Sequence, residues 1–308
     1  MEQTKLYWLH ALTPLHVGAG FGLGFIDLPI MREKTTKWPI VPGSAVKGVL
    51  ADRHNASDEA RKNAPLLAAG FGLAGDDNAN SGSLLFSDAR VVCLAVPSLK
   101  GTFAWVTSPL ALRRLRRDMQ AAGVNPLPPE PWDVPDEHAH VPQAQGNPPA
   151  ASALKTADGK VFLCEVDLRA EERTEARAWA TTLASAVFPG DAPWQAEFIK
   201  RFAITGGGTF DFLCETATEV SARVRIDGDT KTVQKGQLWY EEYLPAESIL
   251  AGIVWCDKVY VPNVTGDDLL RDFCSEARTL QIGGKATTGK GRVRFVTAPH
   301  QAAAGGRR

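Results

Sequence analysis

Two glycine-rich runs set the first limit on how this chain can fold. They are Gly18-Ala19-Gly20-Phe21-Gly22-Leu23-Gly24 near one end and Gly283-Gly284-Lys285-Ala286-Thr287-Thr288-Gly289-Lys290-Gly291-Arg292 near the other. Glycine loses more backbone freedom on ordering than any other residue, so neither run suits the interior of a helix or strand. The apolar and aromatic stretch from Leu6 to Leu12 reads as a strand that ends at the first run. Pro42-Gly43-Ser44 then opens a helix over Ala45 to His54, with Ser44 as its N-cap. The second run leads into a strand, Val293 to Val296, and a small polar tail over 298–308 that reads as disordered.

Between the runs, strands are expected at Ser83 to Phe86 and Arg90 to Ala95, and Ser108-Pro109 carries the cap-then-proline signature of a helix reaching Gln120. Arg113, Arg114, Arg116 and Arg117 on that helix read as a solvated face, with Leu112, Leu115 and Met119 turned inward; contact with a nucleic acid or a neighbouring subunit is the alternative. Prolines crowd the stretch from Gly123 to Ala153, which has no period able to supply a buried face and reads as a long mobile insert. Its His138 and His140 are left out of the candidate sites, because two histidines in a flexible segment do not make a metal centre. Glu171 to Val187 and Gln195 to Phe202 read as helices, and Gly206-Gly207-Gly208 as a loop before a strand, Thr209 to Glu215. Glu219 to Leu244 alternates around Asp227-Gly228-Asp229, the pattern of a long β-hairpin whose turn uses Gly228 and whose far end projects from the core.

The 308 residues read as one elaborated domain over 1–297, and 44% hydrophobic with 22% charged residues excludes wholesale disorder. Five well-separated cysteines, Cys93, Cys164, Cys214, Cys256 and Cys274, lack zinc-site spacing and read as buried thiols of a reducing compartment. No apolar run is long enough to span a membrane and the first residues lack a signal-peptide core, so a cytoplasmic protein is expected. A net charge of −1 means that any grip on phosphate must come from local patches.

Three such patches carry chemistry. Gly284, Gly289 and Lys290 fall at the spacing of a nucleotide-binding P-loop, but Gly291 replaces the required Ser or Thr and too few residues follow for a P-loop sheet. What remains is a glycine turn whose Lys285, Lys290, Arg292 and Arg294 suit a polynucleotide backbone. Lys47, in the first turn of the early helix, opposes the helix dipole unless an anion binds there or the side chain points to solvent. Asp27, with Arg32 close behind, is either a turn residue or the one carboxylate of a Mg²⁺ site completed by water and phosphate oxygens.

The chain resembles a known family, the backbone subunits of the type III-B CRISPR effector (Cmr complex) within the RAMP superfamily. The resemblance rests on Thr13-Pro14-Leu15-His16-Val17-Gly18-Ala19-Gly20, Ile26-Asp27-Leu28-Pro29-Ile30, and Ile40-Val41-Pro42-Gly43-Ser44 with Lys47-Gly48. It continues through Phe86-Ser87-Asp88-Ala89-Arg90, the segment Lys100 to Thr107, Leu238-Trp239-Tyr240-Glu241-Glu242, and Gln281-Ile282-Gly283-Gly284 to Gly291. It implies an α+β fold, a ferredoxin-like, RRM-related palm with loop insertions and an extended β-hairpin thumb within 222–244. Copies of the chain are then expected to stack into a filament along a CRISPR guide RNA, with other Cmr subunits beside them and the thumb wedged into the guide–target duplex. The resemblance also implies that Asp27 is a catalytic, metal-binding aspartate for cleavage of target RNA with Mg²⁺ or another divalent metal. His16 and Glu241 or Glu242 match functional positions, and Arg32, Ser44, Lys47, Lys285, Lys290 and Arg292 are the expected RNA contacts. Met31 stands where glutamine is frequent and Ala45 where a second serine is.

Overall fold

From Leu6 onward the first strand is apolar on both of its faces. Successive strand residues point to opposite sides, so such a strand must be covered on both. The computed structural model, which describes residues 3–22, 24–75, 79–146 and 151–297, shows that cover. Leu6 and Trp8 enter one hydrophobic cluster, while Tyr7, Leu9 and Ala11 enter another on the opposite face.

Strand β1 (Gln3–Ala11) leads through the glycine loop to β2 (Ile40–Val41), α1 (Gly43–Arg53), α2 (Asp58–Asn63) and α3 (Pro65–Phe71). Then come β3 (Leu84–Phe86), β4 (Ala89–Pro97), β5 (Phe103–Thr107), α4 (Pro109–Ala121), β6 (His138–Pro142), β7 (Lys160–Leu163) and β8 (Val166–Arg173). Helices α5 (Thr174–Val187) and α6 (Ala192–Arg201) precede β9 (Phe202–Thr205) and α7 (Gly207–Thr216). The chain ends with β10 (Glu219–Ile226), β11 (Val233–Tyr243), β12 (Ile249–Cys256), α8 (Gly266–Phe273), β13 (Arg278–Gln281) and β14 (Arg292–Thr297).

This is a mixed α/β fold built on one twelve-stranded mixed sheet, in the order β13-β14-β1-β12-β4-β5-β9-β6-β8-β7, with β2 beside β4 and β3 beside β12. The β5–β9 and β6–β8 pairs are parallel and the other pairs antiparallel. Helices α4, α5 and α6 cover one face through Leu112, Leu115, Trp179, Leu183 and Phe198. Helices α1, α3, α7 and α8 cover the other through Leu50, Phe71, Phe210 and Phe273. Buried Lys5 of β1 donates to the carbonyls of Leu270 and Cys274, placing a cation at the negative end of α8.

The hairpin β10–β11 forms a separate two-stranded sheet, with Val224 opposite Leu238 and Ala222 opposite Tyr240. Its turn does not rest on Gly228. Asp227 Oδ1 accepts the amides of Asp229 and Thr230, and Lys231 takes the left-handed conformation at φ 56°. Gly236, at φ 75°, accompanies a register shift between Val224 and Ile226.

Four further expectations are corrected. Thr209 to Glu215 is helix, not strand, because Asp136 Oδ1 accepts the amides of Gly208 and Thr209 and so caps α7 from a distant segment. The proline-rich stretch 123–153 is not a mobile insert over its described part: it holds β6 inside the sheet and buries Val134, Ala139 and Val141. Ser44 is exposed and does not cap α1, which starts at Gly43 behind Pro42 with the Gly43 amide donating to Asp88 Oδ1 at 2.9 Å. Cys164 is exposed, unlike the four buried thiols. The tail 298–308 lies outside the described residues.

Candidate active site at the base of the hairpin

One edge of β11 pairs with β10, and the other collects the candidate residues. Along that free edge the Tyr240 amide donates to Asp27 Oδ2 at 2.7 Å, and the Leu28 amide donates to the Tyr240 carbonyl at 3.0 Å. The Glu242 amide then donates to the Leu28 carbonyl at 3.0 Å, and His16 Nδ1 donates to the Glu242 carbonyl at 2.8 Å. Leu15 and Leu244 close the series through a reciprocal pair at 2.9 Å. Asp27 and His16 therefore engage the same strand edge two residues apart, roughly 7 Å along it.

A carbonyl can only accept, so in neutral His16 the proton sits on Nδ1 and Nε2 keeps its lone pair. The ring is buried, edge-on to Tyr243 at 5.6 Å. Glycines let both loops approach it: a Cβ on Gly18 would stand 2.9 Å from Nε2, and one on Gly283 would collide with the His16 carbonyl oxygen. The Gly284 amide donates to that same carbonyl at 2.9 Å, which brings the two glycine runs together on one histidine.

Glu241 and Glu242 take different parts from that expected of a reacting acid. Glu241 is 2% exposed, and its carboxylate accepts from Lys285 at 2.5 Å, Trp239 Nε1 at 2.7 Å, Arg223 at 3.2 Å and the Tyr243 hydroxyl. Burial pushes its pKa up, but the bonds from Lys285, Tyr243 and Trp239 outweigh it and hold the carboxyl at about 2. Glu242 accepts from Arg32 at 2.5 Å, Thr218 at 2.9 Å and the Ile30 amide at 3.0 Å. Through these bonds Glu241 ties Lys285 of the second glycine run, and Glu242 ties Arg32 and Ile30, to the hairpin.

The expected phosphate contacts divide accordingly. Arg32 is engaged internally, since beyond Glu242 it donates to the carbonyls of Lys37 and Cys214. Lys285, in the left-handed conformation, is held by Glu241. Lys290 lies 4.7 Å over the Tyr243 ring, and neither it nor exposed Arg292 forms an ion pair among the described residues. Lys47 is likewise without an ion pair there, and burial lowers its pKa. The arginines of α4 are occupied: Arg113 pairs with Asp133, Arg114 with Glu33, Arg116 with Glu130 and Arg117 with Asp118.

Asp27 Oδ1 has no hydrogen-bond partner among the described residues, and Oδ2 holds the hairpin. The donor set for a cation is thus a single carboxylate oxygen, which fits a hard ion such as Mg²⁺ whose other ligands are water and phosphate. A second cluster, His138, His140 and Glu171, has metal-like spacing, with ligand atoms within 4.8 Å of one another. There Trp132 Nε1 donates to His140 Nδ1 at 2.8 Å, so the neutral ring carries its proton on Nε2 and offers no lone pair toward Glu171. Trp239, Tyr240 and Tyr243 also belong to the site, through their contacts with Glu241 and Asp27, and sequence motifs alone do not mark them. Their signal was that every second residue of Trp239-Tyr240-Glu241-Glu242-Tyr243 falls on one face of a strand, which sets Trp239 and Tyr243 on either side of Glu241 and Tyr240 beside Glu242.

The RAMP superfamily model matches residues 8–294. The Cmr endoribonuclease Cmr4 of Pyrococcus furiosus is 32% identical over 297 residues, 94% of each chain. The crystal structure of oligomeric Cmr4 from Pyrococcus furiosus superposes with a TM-score of 0.71 at 28% identity, covering 97% of this chain and 98% of the other. A cryo-EM structure of the type III-B Cmr-beta complex bound to cognate target RNA contains a chain of the same fold, with a TM-score of 0.67 at 17% identity over 96% of both chains. On a match that runs from within β1 to within β14 and takes in both glycine loops, this chain belongs to the RAMP superfamily, with the Cmr4 proteins of type III-B CRISPR systems among its relatives.

Proposed function

We propose that this chain is a repeated backbone subunit of a CRISPR RNA-guided effector in the cytoplasm, and that it cleaves target RNA complementary to the guide by metal-dependent endonucleolysis at Asp27. The sheet serves as an elaborated RRM-related palm and β10–β11 as the thumb. The observation that carries the proposal is the Asp27 carboxylate, hooked by one oxygen to the base of the hairpin at Tyr240 and open at the other. Support comes from the relative named an endoribonuclease, the oligomeric relative, and the same fold in a Cmr complex holding target RNA.

Guide pairing supplies sequence specificity, so the protein needs only to grip backbone and act at a fixed register. Lys47, Lys290 and Arg292 hold phosphates of the guide or target. Asp27 Oδ1 would hold the divalent ion, which would supply charge neutralisation at the scissile phosphate and a lowered pKa for an attacking hydroxyl or water. In neutral His16 the Nδ1–H bond to the Glu242 carbonyl leaves the lone pair on Nε2, which accepts a proton from a 2′-hydroxyl or water and fixes its position. Glu241, through Lys285, keeps the C-terminal glycine loop against His16. Further copies of the chain extend the series of sites, and other Cmr subunits complete the complex.

Complexes reconstituted with guide RNA and target RNA test this. Asp27→Asn keeps an oxygen for the Tyr240 amide but removes the negative charge and puts an NH2 donor where Oδ1 stood, and regularly spaced cuts are expected to vanish with RNA affinity unchanged. Chelation of divalent metal should give the same result in the native complex. Cutting that survives both changes would leave a structural RNA-binding subunit with Asp27 as a turn anchor.

A further inference from the structure

Beside Asp27 lies an aromatic pair that the mechanism above does not use. Phe25 stacks on Tyr240 with ring centroids 4.8 Å apart and planes 30° from parallel. Tyr240 is the residue whose amide grips Asp27, and Phe25 is two positions before Asp27, so the stack and the carboxylate are fixed to one another at two points. Phe25 is nevertheless 78% exposed, which means that one ring face rests on Tyr240 and the other is open. Phe21, on the same glycine loop, is 91% exposed. The apolar surface continues up the hairpin: Val224 and Leu238 face each other next to the Ala222–Tyr240 pair, on the same side, and both are exposed.

Resting on the nuclease reading of Asp27, we infer that the Phe25–Tyr240 stack is a platform for one unpaired nucleobase of the target RNA, the one next to the phosphodiester presented to Asp27. Every base has a π face, so a stacking platform fixes a nucleotide without reading its identity, which suits a subunit that must act on any guided sequence. A flat aromatic face fixed to Tyr240, the residue that also holds Asp27, sets the angle of the backbone that follows the base. Phe25 is therefore a positioning residue: it orients the sugar and phosphate through the base and touches neither ion nor reacting atoms.

Two measurements on complexes of native, Phe25→Ala and Phe25→Trp protein test the platform. In chelator, with 2-aminopurine scanned along the target, one position per subunit repeat should be quenched in the native and Phe25→Trp complexes and bright in Phe25→Ala. With metal, removing the base at that position should slow native cutting by roughly tenfold, about the worth of one stacked base. Phe25→Ala should slow cutting of intact target to the same extent and then be indifferent to the missing base, while Phe25→Trp behaves as native. If no position shows Phe25-dependent quenching, or if Phe25→Ala responds to base removal as native does, the inference is wrong. Loss of subunits from the Phe25→Ala complex with an unchanged base response would also overturn it and make Phe25 a contact between copies. Phe25-dependent quenching without any Asp27-dependent cutting would instead sink the nuclease reading and leave the platform standing.

Discussion

Glu241 is the residue on which most of the local electrostatics converge. Lys285, Arg223, Trp239 and Tyr243 all aim donors at one buried carboxylate, so removing its charge strands several groups at once. Glu241→Ala is expected to destabilise the protein by about 3 kcal/mol, measured by denaturant unfolding, because the Lys285 ammonium loses its partner. The pH dependence has a defined sign. The carboxyl falls from 4.5 to about 2 on folding, and so does that of Glu33 under the hydrogen bond from Arg114. A depressed carboxyl stabilises the fold fully above pH 4.5 and progressively less as the pH falls toward 2. Stability should therefore decline across that window, and Glu241→Gln should flatten part of the decline.

At the scale of elements, the informative case is α7. Gly206 and Gly208 precede or open it, and a glycine triplet signals a loop to any local reading. The helix forms because Asp136, from the loop before β6, accepts two of its first amides, and only glycine leaves room for that approach. Gly206→Ala would drive a Cβ into Asp136, and a loss of roughly 1–3 kcal/mol in unfolding free energy is expected. The hairpin β10–β11 behaves oppositely, since it shares no ladder with the main sheet. Replacing its tip, residues 226–233, by a tight turn should leave unfolding stability within about 0.5 kcal/mol of native. Any effect on complex assembly or cleavage would then belong to the thumb itself.

For the whole molecule, a net charge of −1 conceals a sorted distribution of cations. The arginines of α4, with Arg32 and Lys285, are neutralised by carboxylates, whereas Lys47, Lys290 and Arg292 have no carboxylate partner among the described residues. Each of the latter three, changed to Gln, should reduce the dependence of log affinity for RNA on log salt by roughly 0.7–1. Lys285→Gln should leave that slope unchanged and lower stability instead. Fluorescence titrations over a range of salt concentrations separate the two classes.

Much of this protein was legible before folding was considered. The alternation through Glu219 to Leu244 announced a hairpin, Ser108-Pro109 placed α4 within a residue, and the buried Leu112, Leu115 and Met119 followed its period. These signals are local, because they depend on backbone preferences and on the period at which side chains meet a surface. Family motifs pointed to His16, Asp27, Lys47 and Glu241 as a set, though not to what each would touch. The rest came from partners far apart in sequence: Asp88 capping α1, Asp136 capping α7, Glu242 holding Arg32, and Tyr240 gripping Asp27 from 213 positions away. No pattern of neighbouring residues encodes such pairs. The tertiary structure alone decided which cations lack a carboxylate partner and which carboxylate oxygen lacks a donor among the described residues, and where the two glycine loops meet, because each depends on groups that only the closed sheet brings within hydrogen-bond reach.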